Sequence, residues 1–151
     1  MTRRTAIGLA SLIVLLPGVA SAKGGPGNGT IDGEGLAAPI GVESHRGLEG
    51  DHWRLVEQSG YSAATFGMVP DPMMGSPPAG ELGPKLVIAW EVGGPEGAIL
   101  QELYPYAEGG PVTYVAPGQT HWDGVPVRGG WYRASPDLLT TLASLGLSPK
   151  E

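Results

Sequence analysis

Glu91 and Glu102 are the carboxylates whose spacing comes nearest to a catalytic pair. They fall in the runs LVIAWEV (Leu86–Val92) and ILQELY (Ile99–Tyr104), which read as two strands of one hairpin. Joined through the four-residue loop Gly94–Gly97, those strands would set Ile88 opposite Leu103. The two glutamates would then lie diagonally on the polar face, about 7–8 Å apart at Cα. Paired carboxylates hydrolyse glycosidic bonds over such separations. The same face offers only Val87, Ala89, Leu100 and Tyr104 around them, with no pocket to raise one pKa. A solvated pair of glutamates is therefore the plainer reading.

The three histidines supply the other candidates. His45, Glu49 and His52 are spaced four and three apart, which on a helix would gather them as metal ligands, with Asp51 as a fourth. Gly47 and Gly50 interrupt that span, nothing apolar supports a helix there, and the spacing matches no zinc pattern. Neither a metal nor a cofactor is expected. His121-Trp122-Asp123 places an imidazole and a carboxylate close together in the sequence, which by itself proves little. Trp122, set among polar and turn residues, is expected at the surface. Asn28, Thr30, Asp32 and Gly33 begin like a calcium loop, yet the twelfth position is Pro39 where a bidentate Glu is needed. The chain has no cysteine, so thiol catalysis is excluded.

The N-terminus points to export. Arg3 and Arg4 precede an uncharged apolar run, Ala6–Leu16, which Pro17 and Gly18 break before the small-residue pattern Ala20-Ser21-Ala22. A membrane span needs about 20 apolar residues, so this run is too short for one. Residues 1–22 read as a signal peptide, with no membrane span after cleavage. Removing Arg3 and Arg4 from the nine Lys and Arg leaves seven against fifteen acidic residues, a net charge near −8. Nucleic acid and anionic membranes demand clustered cations and are not expected partners. An exported chain without disulfides must stand on its hydrophobic core alone or on a bound metal ion.

The elements that would position these residues lie mostly in the C-terminal half. Lys23–Gly35 holds six glycines in thirteen residues, and residues 23–36 read as a flexible leader. Gly67–Pro84 has nine Gly or Pro in eighteen, a length of loop that is often functional. After the hairpin 86–104 comes a strand at 111–116, where Tyr114 alternates as a packing residue. Gly129-Gly130 would turn a last hairpin within 125–133. A helix over 136–145 follows, capped by Ser135 and started by Pro136. A shorter helix fits 52–59. The fold class is thus α+β: a small antiparallel sheet with a C-terminal helix, in one globular domain over 37–151.

The segments LGPKLVIAWEV, LYPYAEGGPVTYVAPGQ and GGWYRA resemble the C-terminal region of small secreted proteins of actinobacterial type. The resemblance spans Leu82 to Ala134 and implies export without implying an activity. Taken together, the residues point to a secreted or cell-envelope interaction module that contacts an extracellular protein or glycan. Its contact residues would be Trp122, Tyr106, His121 and Asp123, with Met73 and Met74 of the Pro/Met-rich loop. The alternative is a small extracellular hydrolase using Glu91 with Glu102, or His121 with Asp123.

Overall fold

The structure, a computed structural model, describes residues 25–44, 50–93, 97–121 and 124–147. Through them the chain runs β1 (Gly29–Gly33), β2 (Ile40–Val42), α1 (Asp51–Gln58), α2 (Tyr61–Phe66), β3 (Met73–Met74), β4 (Leu86–Gly93), β5 (Gly97–Tyr104), β6 (Val112–Val115), β7 (Gly130–Arg133) and α3 (Leu138–Ser144). The strands form one antiparallel sheet in the order β2-β1-β4-β5-β6-β7-β3. The α+β class holds, but the sheet has seven strands and the described residues contain three helices. No helix among the described residues is long and apolar enough to cross a membrane.

Alternation along the central hairpin decides which side is the core. Leu86, Ile88, Trp90 and Val92 of β4 are buried, as are Ile99, Gln101 and Leu103 of β5, while the residues between them are more exposed. That is the face expected from the sequence. The register is not. Ile88 pairs with Gln101 instead of Leu103, and an irregularity falls between Glu91 and Gly93. The two offsets differ by two residues, and a shift of two leaves every side chain on its own face. Alternation therefore fixes the face and is silent on the offset. The offset is set at the tip, where Gly93 and Gly97 pair at φ +65° and +72°, a backbone region that glycine enters at little cost.

The globular domain begins earlier than residue 37. β1 lies inside the stretch read as a flexible leader, and Ile31 is fully buried opposite Ile88. Gly29 stands opposite Trp90, and a Cβ there would come within 3.3 Å of the indole, so this glycine makes room for the ring. Its composition hides a strand whose inward positions are Gly29, Ile31 and Gly33.

All three helices cover the Trp90 face. Leu55 and Val56 of α1, Tyr61, Ala63 and Ala64 of α2, and Leu138 and Leu142 of α3 join one core with Ile88, Ile99, Leu103 and Tyr132. Helix α1 follows the helix expected over 52–59, but its N-cap is Gly50, without a side-chain cap. Helix α2 was not expected from the sequence. α3 begins at Leu138, later than position 136, and Ser135 Oγ accepts from Asp137 N–H at 3.3 Å in the turn before it.

A polar group sits at the centre of this core. Gln101 Oε1 accepts from Trp90 Nε1 at 3.0 Å, and its Nε2 donates to the Ser59 carbonyl at 2.7 Å. Thr113 Oγ1 donates to the same carbonyl at 2.7 Å. The junction between α1 and α2 is thereby tied to the middle of the sheet.

The hairpin expected within 125–133 does not form. β7 pairs with β6, and the intervening chain turns back on itself through a Thr120–Pro126 bridge. Gly129 serves close approach instead of a turn, since a Cβ there would lie 2.5 Å from Pro117 Cα. Just before this excursion Gln119 acts as a substitute strand. Its Oε1 accepts from Leu100 N–H at 2.7 Å and its Nε2 donates to Leu100 O at 2.9 Å, beyond the point where β6 has ended.

Candidate functional site

The opposite face of the sheet carries none of the helices. Pairing sets Met74, Trp131, Tyr114, Glu102, Val87 and Asp32 in one row across β3, β7, β6, β5, β4 and β1. With strands about 4.8 Å apart, the row is roughly 24 Å long. Tyr104, Ala107 and Val112 form a small second core at its aromatic end, with Met74, Leu82, Tyr114 and Trp131 packed against it and half-buried. The Trp131 ring lies 4.9 Å from that of Tyr114 and 5.6 Å from that of Tyr104, tilted 41° and 36°. Leu100 remains 53% exposed on the same face.

Polar groups beside the rings are bonded to one another. Glu102 Oε2 accepts from the Tyr104 hydroxyl at 2.5 Å, and Oε1 accepts from Lys85 Nζ at 3.3 Å. Burial, with the Glu102 carboxylate beside it, pushes the Tyr104 phenol above the ordinary tyrosine range, so it is a hydrogen-bond donor and not a base. The result is a wall of aromatic rings flanked by a carboxylate and an ammonium that offset one another.

A second feature is a groove of about 680 Å³ between the Pro/Met-rich loop and the ends of α1 and β7. Met68, Pro70 and Met73 line one side, and Gln58, Arg133 and Ser135 the other. The Asp71 carboxylate at its edge accepts from Met73 N–H at 3.0 Å and from Arg128 Nη2 at 2.9 Å. These bonds hold its pKa below the ordinary value, the backbone bond contributing most. The loop is thus pinned at β3, a contribution its Gly and Pro content concealed.

The residues singled out from the sequence do not converge. Glu102 stands opposite Val87, four residues along β4 from Glu91, which is roughly 14 Å of strand at about 3.4 Å per residue. The diagonal carboxylate pair is overturned by the two-residue change in register. His52 is buried, donates from Nε2 to the Gly27 carbonyl at 2.6 Å, and packs edge-on against Trp90. That ring fastens the N-terminal segment to α1, while His45 and Glu49 lie outside the described residues. Among the described residues no three His, Asp or Glu side chains are placed to hold a metal.

His121 is 4% exposed and its ring packs 6.0 Å from Phe66, so it is a packing residue and not part of a contact surface. Trp122 and Asp123 lie outside the described residues. Tyr106 is exposed beside a small hollow of about 240 Å³ lined also by Leu36, Pro84 and Leu147. It follows the end of β5, whereas His121 follows the end of antiparallel β6, toward the other end of the sheet. Trp131 was missed, and Tyr114 was read as ordinary packing. Continuing the β5 alternation through the pairing with β6 and β7 would have put both on the Glu102 face.

Comparison with protein-family models, with curated proteins and with solved structures finds no match for this chain.

Proposed function

We propose that this protein is an exported, single-domain interaction module that works in the extracellular space or cell envelope by contact and not by catalysis. The observation that carries this reading is the helix-free sheet face, where Trp131 and Tyr114 stand half-buried beside the bonded Glu102–Lys85 pair. Trp and Tyr are the residues on which contact surfaces most depend. The separation of Glu91 from Glu102 favours contact over glycoside hydrolysis, and the apolar run before Ala20-Ser21-Ala22 supports export.

The test combines processing with partition. Intact mass should show a secreted species beginning at Lys23 that associates with extracellular or envelope material. The double variant Tyr114→Ala/Trp131→Ala should lose that association while keeping a cooperative melt. Cell-internal protein retaining Met1–Ala22, or equal association of the two proteins, overturns the proposal.

A further inference from the structure

We infer that the helix-free sheet face binds a neutral glycan, its sugar rings stacking on the accessible parts of Trp131 and Tyr114 while their hydroxyls bond to Glu102 and Lys85. The inference rests on the reading of the protein as a contact module and names the chemistry of its partner.

Three observations select this occupant. A pyranose has an apolar C–H face bounded by hydroxyls, and the row Trp131–Tyr114–Glu102 offers the matching sequence of ring, ring and bonded polar group. Aromatic faces take apolar surface at little conformational cost, and a carboxylate accepts from hydroxyls that an ammonium can also donate to. Those polar groups are already in place, because Tyr104 and Lys85 hold both oxygens of Glu102. Pre-ordering of this kind removes part of the entropy lost on binding.

The third observation is charge. Glu102 and Lys85 offset each other beside the rings, Arg133 stands on the same face two residues from Trp131, and Glu91 and Asp32 lie farther along it, so two cations stand against three carboxylates. The whole chain is also acidic, with net charge −6. Neither an anionic nor a cationic polymer finds a dense patch of opposite charge beside the rings. An uncharged polyhydroxylated chain needs none. A protein partner would cover the same rings, and the experiment separates the two.

The exported protein is run through native gels containing neutral glucans, mannans or galactans, with polygalacturonate as the anionic comparison. At least one neutral polysaccharide should retard it, equally at low and high salt, since screening acts on charges. Tyr114→Ala and Trp131→Ala should each weaken retardation about tenfold or more, the scale of an aromatic contact at the centre of a binding surface. Glu102→Gln, which keeps the shape of the side chain, should weaken it while keeping a cooperative melt. Leu139→Ala, on the exposed side of α3, should match the unmodified protein.

Retardation by polygalacturonate alone and abolished by salt overturns the inference, as does equal retardation of the aromatic variants. If no polysaccharide retards the protein while its association with envelope material is destroyed by protease treatment of that material, the glycan inference fails. The contact module then stands with a protein partner. If both polysaccharide binding and envelope association are absent, the two readings fall together.

Discussion

Gln101 Nε2 lies 2.7 Å from the carbonyl oxygen of Ser59, joining the middle of the sheet to the junction of two helices across a separation of 42 residues. The side chain is fully buried, and its Oε1 meets the indole N–H of Trp90. Gln101→Leu should fill similar space while leaving that indole N–H without its acceptor. A buried polar group deprived of its partner costs about 1–3 kcal/mol. Denaturant melts should show a loss of that size, and a neutral or stabilising result would mean the network contributes orientation but no stability.

The C-terminal helix gives a paired comparison. Leu142 is 1% exposed and packs in the main core, whereas Leu139 is 38% exposed. Leu142→Ala should cost about 2–5 kcal/mol. Leu139→Ala should stay within about 0.5 kcal/mol. Equal losses in the same melts would show that the outer side of α3 is covered in solution.

Acid should weaken the attachment of the Pro/Met-rich loop. Asp71 has its pKa lowered in the folded protein by the Met73 amide and by Arg128. Its contribution is complete above the unfolded value of about 3.9 and is lost as pH falls from there through the folded value. Asp71→Asn should therefore melt lower than the unmodified protein at neutral pH, and the two curves should converge in strong acid. A constant gap across that range would show that the carboxylate charge plays no part.

Alkali should act through Tyr61. Burial pushes its phenol up to about 12, so its contribution is intact below the unfolded value of about 10 and is lost as pH rises toward about 12. Phenolate absorbance should show this tyrosine ionising late, and Tyr61→Phe should remove its late step and flatten the alkaline fall in stability. A Tyr61 that titrates at about 10 in the folded protein contradicts the burial argument.

The sequence made the inward face of the central hairpin legible because Leu86, Ile88, Trp90, Ile99 and Leu103 repeat with period two. The same regularity hid the register, for a shift of two residues satisfies it equally, and the supposed Glu91–Glu102 pair went with that ambiguity. β1 was hidden for another reason: Gly29 and Gly33 occupy inward positions where an apolar residue would have announced a strand. Helix α2 has only 6 residues, fewer than two turns, too short for its buried Tyr61, Ala63 and Ala64 to form a recognisable stripe. Trp131 and Tyr114 read as ordinary strand aromatics until pairing set them side by side. Their neighbourhood is a property of register, which lies between distant segments and in neither one.

Gln119 has a consequence beyond the bonds it makes to Leu100. Where β6 stops, the backbone of β5 would face outward with a donor and an acceptor in strand geometry, next to the most exposed leucine of the sheet. Open backbone of that kind is a template on which another polypeptide can grow. The Gln119 amide occupies both positions from within the same chain. Many proteins blunt such an exposed edge with a bulge, a proline or a charged residue. For this one, the safeguard against self-assembly at that edge is a single side chain, and its loss would be felt as precipitation at high concentration before it was felt as a lower melting temperature.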